Sequence, residues 1–369
     1  MKTNELANAQ LTRRTFFRLS AVTAFGATIV GLAGCSSSSA ASSAAAGSSS
    51  GGTLTMLNYA DWMGVNEVES FAKQYGFTIE ELPTPDGGTT AWVNTLTSNK
   101  GTYDFALAGN NVAKRLKENN LLADFDASKV PNLSKVASTY TSEFPYGIPC
   151  EQGKIGFYYN KKLLSTPPTS YKELFAQASS DALAGKILFP AYDGDVLDAG
   201  LLALGYDVNS ATAAQIEEAR DAVISIKPYV KAFIDSGAPS QIIDGSAAIA
   251  VGYDYDYAYA APESEDIGWI APSEGCPGYL DGWVPLAGSK NLDAVYQFFN
   301  FHLEDENYAD FINTTMASWI VPEVKSLLDP DVANCEALDP EKNPGTFYTQ
   351  NDADKTAQYA AAWQAIQNA

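Results

Sequence analysis

The chain has 369 residues, 46% of them hydrophobic, and a formal net charge of −21 at pH 7. A surface this acidic repels nucleic acid, which we therefore exclude as a partner. The single histidine, His302, lies in a helical pattern with no nucleophile motif around it, so a histidine-based metal site and a Ser-His-Asp triad are nearly excluded. We expect neither a metal ion nor a cofactor.

An export signal precedes the folded part of the chain. Arg13 and Arg14 form a twin-arginine pair, and the small apolar residues 21–34 that follow are too few for a comfortable transmembrane helix. The last four letters of this leader, LAGC, resemble the lipobox of bacterial lipoproteins, in which the cysteine, here Cys35, is lipidated and becomes the new N-terminus. A plain signal peptide cut elsewhere is the alternative. We predict a twin-arginine lipoprotein signal peptide over 1–35.

A segment rich in serine, alanine and glycine, residues 36–52, follows the predicted lipidation site. This composition cannot bury a core and is typical of a flexible tether. The working protein is therefore predicted to comprise residues 53–369, to lie outside the cytoplasm and to be held to a membrane surface by lipid. Its length suits two lobes better than one core.

Strand and helix patterns alternate in the first part of this region. Strands are predicted in TLTMLNY, FTIEEL and YDFALA, and helices in VNEVESFAKQYG (ended by Gly76), TAWVNTLTSNKG and NVAKRLKENN. Strands that alternate with helices indicate parallel βαβ units and an α/β sheet. Ligands in such sheets bind at the carboxyl ends of strands, so NYADW and AGNN are expected at the mouth of a cleft.

The rest of the chain continues with both kinds of element. Strands are predicted in GKIGFYYN, KILFP, AAIAVGY, DIGWIAP and DGWVPLAG, and helices in TSYKELFAQA, ATAAQIEEARDAVISI, NLDAVYQFF, ENYADFINTTM and DKTAQYAAAWQAIQ. The segment AYDGDVLDAGLLALG, after KILFP, is predicted to be a loop that leads into a helix. Ser170 and Glu173 have the spacing of a helix capping box. Three cysteines follow the leader (Cys150, Cys276 and Cys335), and their pairing cannot be deduced from the sequence.

Residues 251–262, VGYDYDYAYAAP, combine four tyrosines with two aspartates just after a predicted buried strand. Aromatic faces and carboxylates together suit an organic cation. The alternative is an exposed strand or helix edge that carries its tyrosines on one side.

The order of the elements, together with five strings, resembles the spermidine/putrescine-binding proteins of ABC importers, which have the two-lobed type II periplasmic binding protein fold. The strings are LNYADWM (57–63), YDFALAGNN (103–111), YGIPCEQGKIGFYYN (146–160), DGSAAIAVGYD (244–254) and GYLDGWVPL (278–286). The resemblance covers nearly all of the region after the tether. It implies an α/β fold with a ligand cleft between lobe one, 53–158 plus 281–323, and lobe two, 159–280 plus 324–369.

The resemblance also implies a set of ligand-binding residues. Each ammonium of a polyamine needs carboxylate or hydroxyl acceptors, and its methylene stem needs apolar walls. The residues implied are Asp281, Asp254, Asp195 and Glu151 as acids, Tyr279, Tyr253, Tyr59, Trp62, Trp319 and Tyr192 as aromatic positions, and Gln350 as a late polar contact.

Several of the matched positions depart from the family pattern. Tyr192 stands where spermidine binders carry a second acid, and Gly109 and Asn111 stand where the family often has a hydroxyl residue and a tyrosine. Glu151 is a new acid near the lobe junction that could compensate for the acid missing at Tyr192. These departures keep a polyamine as the expected ligand and leave the particular amine open.

The predicted function is therefore a solute-binding lipoprotein, not an enzyme, that captures a polyamine and delivers it to ABC permease subunits. It is expected to be an extracytoplasmic monomer, in the periplasm or on the outer face of the cell membrane. The alternatives are the same fold binding another small solute (an amino-acid derivative, a phosphonate or a metal ion), a sensor lipoprotein without a transport role, and a secreted hydrolase that uses two carboxylates.

Overall fold

The computed structural model describes residues 51–85, 88–234, 236–343, 345–347 and 353–369. The predicted leader with Cys35, most of the tether, and Gln350 lie outside these ranges. The described part forms ten strands: β1 (Thr53–Asn58), β2 (Thr78–Pro83), β3 (Phe105–Gly109), β4 (Ile148–Asn160), β5 (Ile187–Pro190), β6 (Val230–Ile234), β7 (Ile249–Tyr253), β8 (Ile267–Ile270), β9 (Pro277–Pro285) and β10 (Thr346–Phe347).

Thirteen α-helices and five short 3₁₀ turns accompany the strands within the same ranges. The helices are α1 (Glu67–Tyr75), α2 (Gly88–Ser98), α3 (Asn110–Glu118), α4 (Ser138–Glu143), α5 (Tyr171–Gln177), α6 (Asp193–Ala203), α7 (Ala213–Ile226), α8 (Ala238–Ile243), α9 (Asp254–Ala260), α10 (Leu292–His302), α11 (Asp305–Thr315), α12 (Pro330–Ala333) and α13 (Ala353–Asn368). The 3₁₀ turns are Ala127–Lys129, Pro131–Lys135, Lys227–Tyr229, Ala261–Glu263 and Pro322–Leu327.

The strands join in the order β2-β1-β3-β9-β4-β7-β5-β6, with β10 beside β9 and β8 beside β4. In one half of the sheet β1 runs parallel to β2 and β3, and in the other half β5 runs parallel to β6 and β7. The predicted α/β class with parallel βαβ units is confirmed. Between the two halves, β9 runs antiparallel to β3 and β4, and β4 runs antiparallel to β7.

Strand β4 belongs to both halves of the sheet. Its first part, through Lys154, pairs with β9, and its second part, from Ile155, pairs with β7 and β8. The sequence pattern GKIGFYYN accounts only for the second part of this 13-residue strand. Pro149 pairs with Gly282 and Glu151 with Asp281, so Cys150 is an extra residue that makes a β-bulge. A bulge changes the direction of the side chains that follow it, here beginning with Glu151.

Two large hydrophobic cores lie on the two halves of the sheet. The first includes Phe105, Trp283 and Phe298, whose rings pack edge-on or tilted against one another, and the second includes residues of β5, α6 and α7. The predicted lobe boundaries stay a prediction. Of the segment assigned to lobe two, Val324 and Leu338 pack in the first core, whereas Tyr359 and Ile366 pack in the second.

Two helix ends that the sequence predicts, at Gly76 and at Ser170, occur in the structure. Gly76 adopts φ 78°, a left-handed conformation that glycine reaches without strain, and it ends α1. The Ser170 hydroxyl accepts a hydrogen bond from the Glu173 N–H at 3.0 Å. The Glu173 carboxylate in turn accepts from the Thr169 N–H at 2.8 Å, so the reciprocal bond of this cap reaches one residue earlier than the capping-box pattern predicts.

The structure also shows the surroundings of the single histidine and the state of the cysteines. His302 is fully buried, with its Nδ1 2.6 Å from Glu67 Oε1. The three described cysteines, Cys150, Cys276 and Cys335, are free thiols. Over the residues that the structure describes, every helix is too short or too polar to cross a bilayer.

Candidate ligand-binding site

The carboxyl ends of two pairs of parallel strands, one pair from each half of the sheet, meet at the junction between the halves. Tyr59 follows β1, Gly109 ends β3, Tyr192 follows β5 and Tyr253 ends β7. The crossing strands β4 and β9 pass between these ends. Strand ends in an open α/β sheet are where ligands bind, so the fold places the predicted site residues at its expected cleft.

Glu151 on β4 and Asp281 on β9 are directly opposed in the strand register. Opposed residues on antiparallel strands have Cβ atoms roughly 5 Å apart and project from the same face. Both side chains are buried, with 1% and 8% of their surface exposed. Gly109 lies alongside, and a Cβ atom there would come within 3.2 Å of Asp281 Oδ1. Two carboxyl groups therefore share one enclosed space.

The surroundings of this carboxyl pair leave its oxygens short of donors. Trp62 Nε1 donates to Glu151 Oε1 at 2.5 Å, but Glu151 Oε2 is buried without a hydrogen-bond partner in the described part of the chain. Burial raises the pKa of the Asp281 carboxyl to about 7. Burial also raises the pKa of Glu151, the charge of Asp281 adds to that rise, and the bond from Trp62 opposes it. A cation at this place would stabilise both charged forms.

Four aromatic rings form a continuous surface beside the pair, which we call the aromatic wall: Trp62, Tyr255, Tyr253 and Tyr279. Trp62 meets Tyr255 edge-on with ring centroids 5.3 Å apart, and Tyr255 stacks on Tyr253 at 5.1 Å with an interplanar angle of 7°. Tyr253 meets Tyr279 edge-on at 5.9 Å. Gly153 makes room for this last ring, because a Cβ atom there would lie 1.9 Å from Tyr279 Cζ.

Tyr59 lies next to both carboxyl groups. Burial raises the pKa of its phenol, and the charges of Asp281 and Glu151 raise it further, while a hydrogen bond from the Gly109 backbone opposes the rise. Tyr192 also contributes to this shift, which places the second residue after β5 close to the first residue after β1. Tyr192 is 47% exposed.

A second acidic group lies at the start of α6. The Tyr253 hydroxyl donates to Asp195 Oδ2 at 2.5 Å, and Asp193 is two residues earlier in the same first turn. Burial raises the pKa of Asp195 to about 7, the Tyr253 bond opposes that rise and the charge of Asp193 adds to it. The aromatic wall thus has carboxyl groups at two places, Glu151 beside Trp62 and Asp195 beside Tyr253.

Asp254 is buried and already bonded inside the protein. Its Oδ2 accepts from the Ser318 hydroxyl at 2.7 Å and lies 3.5 Å from Lys154 Nζ. Lys154 Nζ also donates to the Ser318 hydroxyl at 3.0 Å. Along β4, Lys154 points to the opposite face from Glu151 and Gly153, because side chains alternate along a strand. A direct ligand contact by Asp254 stays a prediction.

Trp319 follows Ser318 in the segment that bridges to β4 at Gln152. Its ring is 2% exposed, and Lys325 Nζ lies 5.5 Å from the ring centroid. Its role, and that of Gln350 outside the described residues, stay predictions. A surface hollow of about 810 Å³, lined by Phe125, Val130 and Phe144 among others, shares no residue with the aromatic wall or its carboxyl groups.

The structure brings together eight of the eleven predicted ligand residues and adds one that the sequence analysis missed. The eight are Glu151, Asp281, Tyr59, Trp62, Tyr253, Tyr279, Asp195 and Tyr192. The addition is Tyr255, which joins Trp62 to Tyr253. Tyr255 belongs to the tyrosine-rich run 251–262, but the face on which its ring lies depends on whether that run forms a strand or a helix.

Comparison with known proteins identifies the family. The model of the bacterial extracellular solute-binding protein family matches residues 67–340, more than half of the chain. The chain is a bacterial extracellular solute-binding protein. Its predicted placement outside the cytoplasm and its predicted lack of enzymatic activity are confirmed by this membership, and so is the resemblance that its sequence strings carry.

Individual members of known function are similar to this solute-binding protein over most of its length. The putrescine/cadaverine-binding protein of Pseudomonas aeruginosa is 25% identical over 314 residues, covering 79% of this chain and 88% of that protein. The spermidine/putrescine-binding periplasmic protein of Escherichia coli is 21% identical over 295 residues, covering 78% and 83%.

The fold comparison gives the same result. The crystal structure of a spermidine/putrescine ABC transporter substrate-binding protein from Streptococcus pneumoniae superposes with a TM-score of 0.74 at 22% identity, covering 86% of this chain and 98% of that chain. The predicted periplasmic binding protein fold is confirmed.

Proposed function

We propose that this solute-binding protein captures a polyamine between its two lobes and presents it to the permease of an ABC importer. The observation that carries the proposal is the pair Glu151 and Asp281, two buried carboxyl groups that the described part of the protein supplies with a single hydrogen-bond donor, Trp62 Nε1. An organic cation supplies both the missing charge and the missing donors.

The aromatic wall suits the rest of such a ligand. Its tyrosine and tryptophan faces pack against methylene groups and attract a nearby cation. Asp195 and Asp193 offer further acceptors beside Tyr253 in the aromatic wall. An aliphatic chain with a positive group at each end satisfies all three parts of the site.

Capture requires the two halves of the sheet to separate and close. At the site, Trp62 of one half meets Tyr255 of the other half edge-on, and Tyr192 lies close enough to Tyr59 to affect its pKa. Strand β4 belongs to both halves and is the place where a hinge would bend. Closure excludes water from the ammonium groups, which strengthens their bonds to the carboxylates.

We propose that lipid at Cys35 anchors the protein outside the cytoplasm, in the periplasm or on the outer face of the cell membrane, after export by the twin-arginine pair Arg13 and Arg14. The tether over residues 36–52 then lets the binding domain reach the permease. The test is incorporation of radiolabelled palmitate in cells. The label should appear in the wild-type chain and be lost in Cys35→Ser. Equal labelling of both would contradict the anchor.

The ligand is tested by calorimetric titration of the full chain, stripped of bound ligand by unfolding and refolding. Putrescine, cadaverine, spermidine and spermine are titrated in turn, and micromolar or tighter binding of at least one, about 8 kcal/mol, is expected. Asp281→Asn should weaken that binding at least about tenfold, since it removes a charged acceptor. Asp124→Asn is the matched control, because the Asp124 side chain is fully exposed and pairs only with Lys117.

Two outcomes would contradict different parts of the proposal, the class of ligand and the position of the binding site. Absence of binding to all four amines would overturn the polyamine proposal and direct the search to amino-acid derivatives, phosphonates or metal ions. Equal effects of Asp281→Asn and Asp124→Asn would move the binding site away from the carboxyl pair.

A further inference from the structure

The bulge in β4 has a hydrogen-bond partner outside the sheet. Cys150 lies between two paired residues of β4 and has no opposed residue on β9. The extra residue of a bulge is left out of the strand ladder, and its buried backbone groups need other partners. The Tyr308 hydroxyl, on helix α11, donates to Cys150 O at 2.7 Å. A side chain therefore supplies the bond that a strand neighbour would otherwise make.

The same hydroxyl is bonded a second time. It accepts from the Ile320 N–H at 2.9 Å, and Tyr308 is fully buried. Burial raises the pKa of this phenol, the bond from Ile320 opposes that rise, and the charges of Cys150 and Glu151 add to it. The hydroxyl thus keeps its proton and remains a donor to Cys150 O.

The backbone of β4 is held on both sides of Glu151. Before it stands the bond from Tyr308, and after it the Gln152 N–H donates to Ser318 O at 3.2 Å. The carboxylate itself accepts from Trp62 Nε1 at 2.5 Å. Because the direction of a side chain on a strand follows the backbone on either side of it, these bonds determine where the carboxylate lies.

We propose that Tyr308 is a positioning residue of the binding site, which holds the bulge at Cys150 so that the Glu151 carboxylate faces Asp281 and can bind a cationic ligand. This inference rests on the proposed function and adds to it a residue outside the carboxyl pair and the aromatic wall. Tyr308 acts through the main chain of β4, since its hydroxyl is engaged by two backbone groups.

The test compares two buried tyrosines that make the same kinds of bond. Tyr308→Phe keeps the ring and removes the hydroxyl. Tyr296→Phe is the matched control, because the Tyr296 hydroxyl also bridges two backbone groups, donating to Asp124 O at 2.9 Å and accepting from the Asp126 N–H at 3.0 Å. Both rings belong to the first core, so both variants should lose stability.

Calorimetric titration of the full, ligand-stripped chain with putrescine, cadaverine, spermidine and spermine measures the effect on binding. Tyr308→Phe should weaken the tightest of these interactions about tenfold, because a charge-assisted hydrogen bond to Glu151 is misdirected. Tyr296→Phe should leave the affinity unchanged. In a Glu151→Gln background, Tyr308→Phe should change the affinity by less than about twofold, since residues that act through one another are not additive.

A second readout needs no ligand. The indole N–H signal of Trp62 in a ¹H–¹⁵N spectrum reports its bond to Glu151, and Trp62→Phe identifies the signal by its absence. Tyr308→Phe should shift this signal towards that of an indole without a carboxylate partner, whereas Tyr296→Phe should leave it in place. If Tyr308→Phe does not fold, 4-fluorophenylalanine at position 308 fills the space of the hydroxyl without donating, and the same shift and the same loss of affinity are expected.

The outcomes distinguish this inference from the proposed function. Unchanged affinity in Tyr308→Phe, equal losses in Tyr308→Phe and Tyr296→Phe, or additive losses with Glu151→Gln would overturn the positioning role and leave the proposed function standing. Failure of the wild-type protein to bind any of the four amines would overturn the proposed function. In that case an unmoved Trp62 signal in Tyr308→Phe would overturn the positioning role as well.

Discussion

Glu151 and Asp281 oppose each other across β4 and β9, with a bulge at Cys150 immediately before Glu151. The two strands come from distant parts of the chain, and β4 belongs to both halves of the sheet. The pair therefore lies at the junction of the two halves. Burial of two acids side by side is unfavourable for the ligand-free protein, and a bound cation would relieve that cost.

The stability of the ligand-free protein should fall as pH rises from about 4 to about 7. The Asp281 carboxyl ionises with a pKa about 7 in the folded protein against 3.8 ordinarily, so between these values the folded state holds a proton that the unfolded state has lost. Asp195 behaves in the same way. Urea unfolding at pH 5 and pH 8 measures the slope. Asp281→Asn should reduce the fall by roughly 1–3 kcal/mol, and an unchanged slope in that variant would contradict the assignment.

Binding of a cationic ligand should release protons near pH 6.5. The cation stabilises the charged carboxylates of Asp281 and Asp195, whose pKa values of about 7 then fall, so protons leave as the ligand enters. Affinity should accordingly rise as pH increases from 6 to 8. Titration in two buffers of different ionisation enthalpy measures the protons released. An identical heat in both buffers would show that these groups are already ionised before binding.

Replacement of Glu151 by glutamine should stabilise the ligand-free protein while it weakens ligand binding. The glutamine oxygen keeps the bond to Trp62 Nε1, and the substitution removes a buried charge beside Asp281. We expect a gain of about 1 kcal/mol or more in the free energy of unfolding, measured in urea at pH 8. A loss of stability at that pH would mean that Glu151 is held neutral or is bonded to a group not described.

The buried ion pair of Lys154 and Asp254 should stabilise the fold only as a pair. Burial lowers the pKa of Lys154, and the nearby Asp254 carboxylate opposes that change. Lys154→Met leaves a buried carboxylate without a cation and should cost about 3–5 kcal/mol, as should Asp254→Leu. The double variant should recover most of the loss, because no unpaired charge remains. Additive losses in urea unfolding would show that the two side chains act independently.

Much of the fold follows from the sequence, and the site follows only in part. Alternating strand and helix patterns predict the elements, because local periodicity and helix ends such as Gly76 determine them. The positions of Tyr59 and Tyr253 near the cleft are predictable, because each lies at the carboxyl end of a strand and ligands bind at such ends in an α/β sheet. The opposition of Glu151 and Asp281 depends on a bulge and on pairing between distant strands, neither of which leaves a local pattern. Burial of Lys154 is missed for the same reason.

Tyr255 provides the sharpest difference between the sequence pattern and the observed site. In a strand the alternating tyrosines would share one side. After Tyr253, however, the chain forms α9, in which Tyr255 and Tyr259, four residues apart, lie on one face and pack against the first core. Tyr257 lies on another face, with its ring 5.7 Å from that of Trp269. Tyrosines of the same short run therefore pack in two different environments.

This arrangement supplies a matched pair of variants for the aromatic wall. Tyr255→Leu removes the stack on Tyr253 and the edge contact with Trp62, and each aromatic pair contributes about 0.5–1.5 kcal/mol. We expect putrescine affinity to fall roughly tenfold, because the ring that connects the two halves of the sheet is lost. Tyr257→Leu removes a ring from the same helix without touching the wall, and it should lower stability but leave the affinity unchanged. Calorimetric titration of both variants tests the wall directly: equal losses of affinity would attribute the effect to helix α9 as a whole, whereas a loss confined to Tyr255→Leu would assign it to the contact between Trp62 and Tyr253.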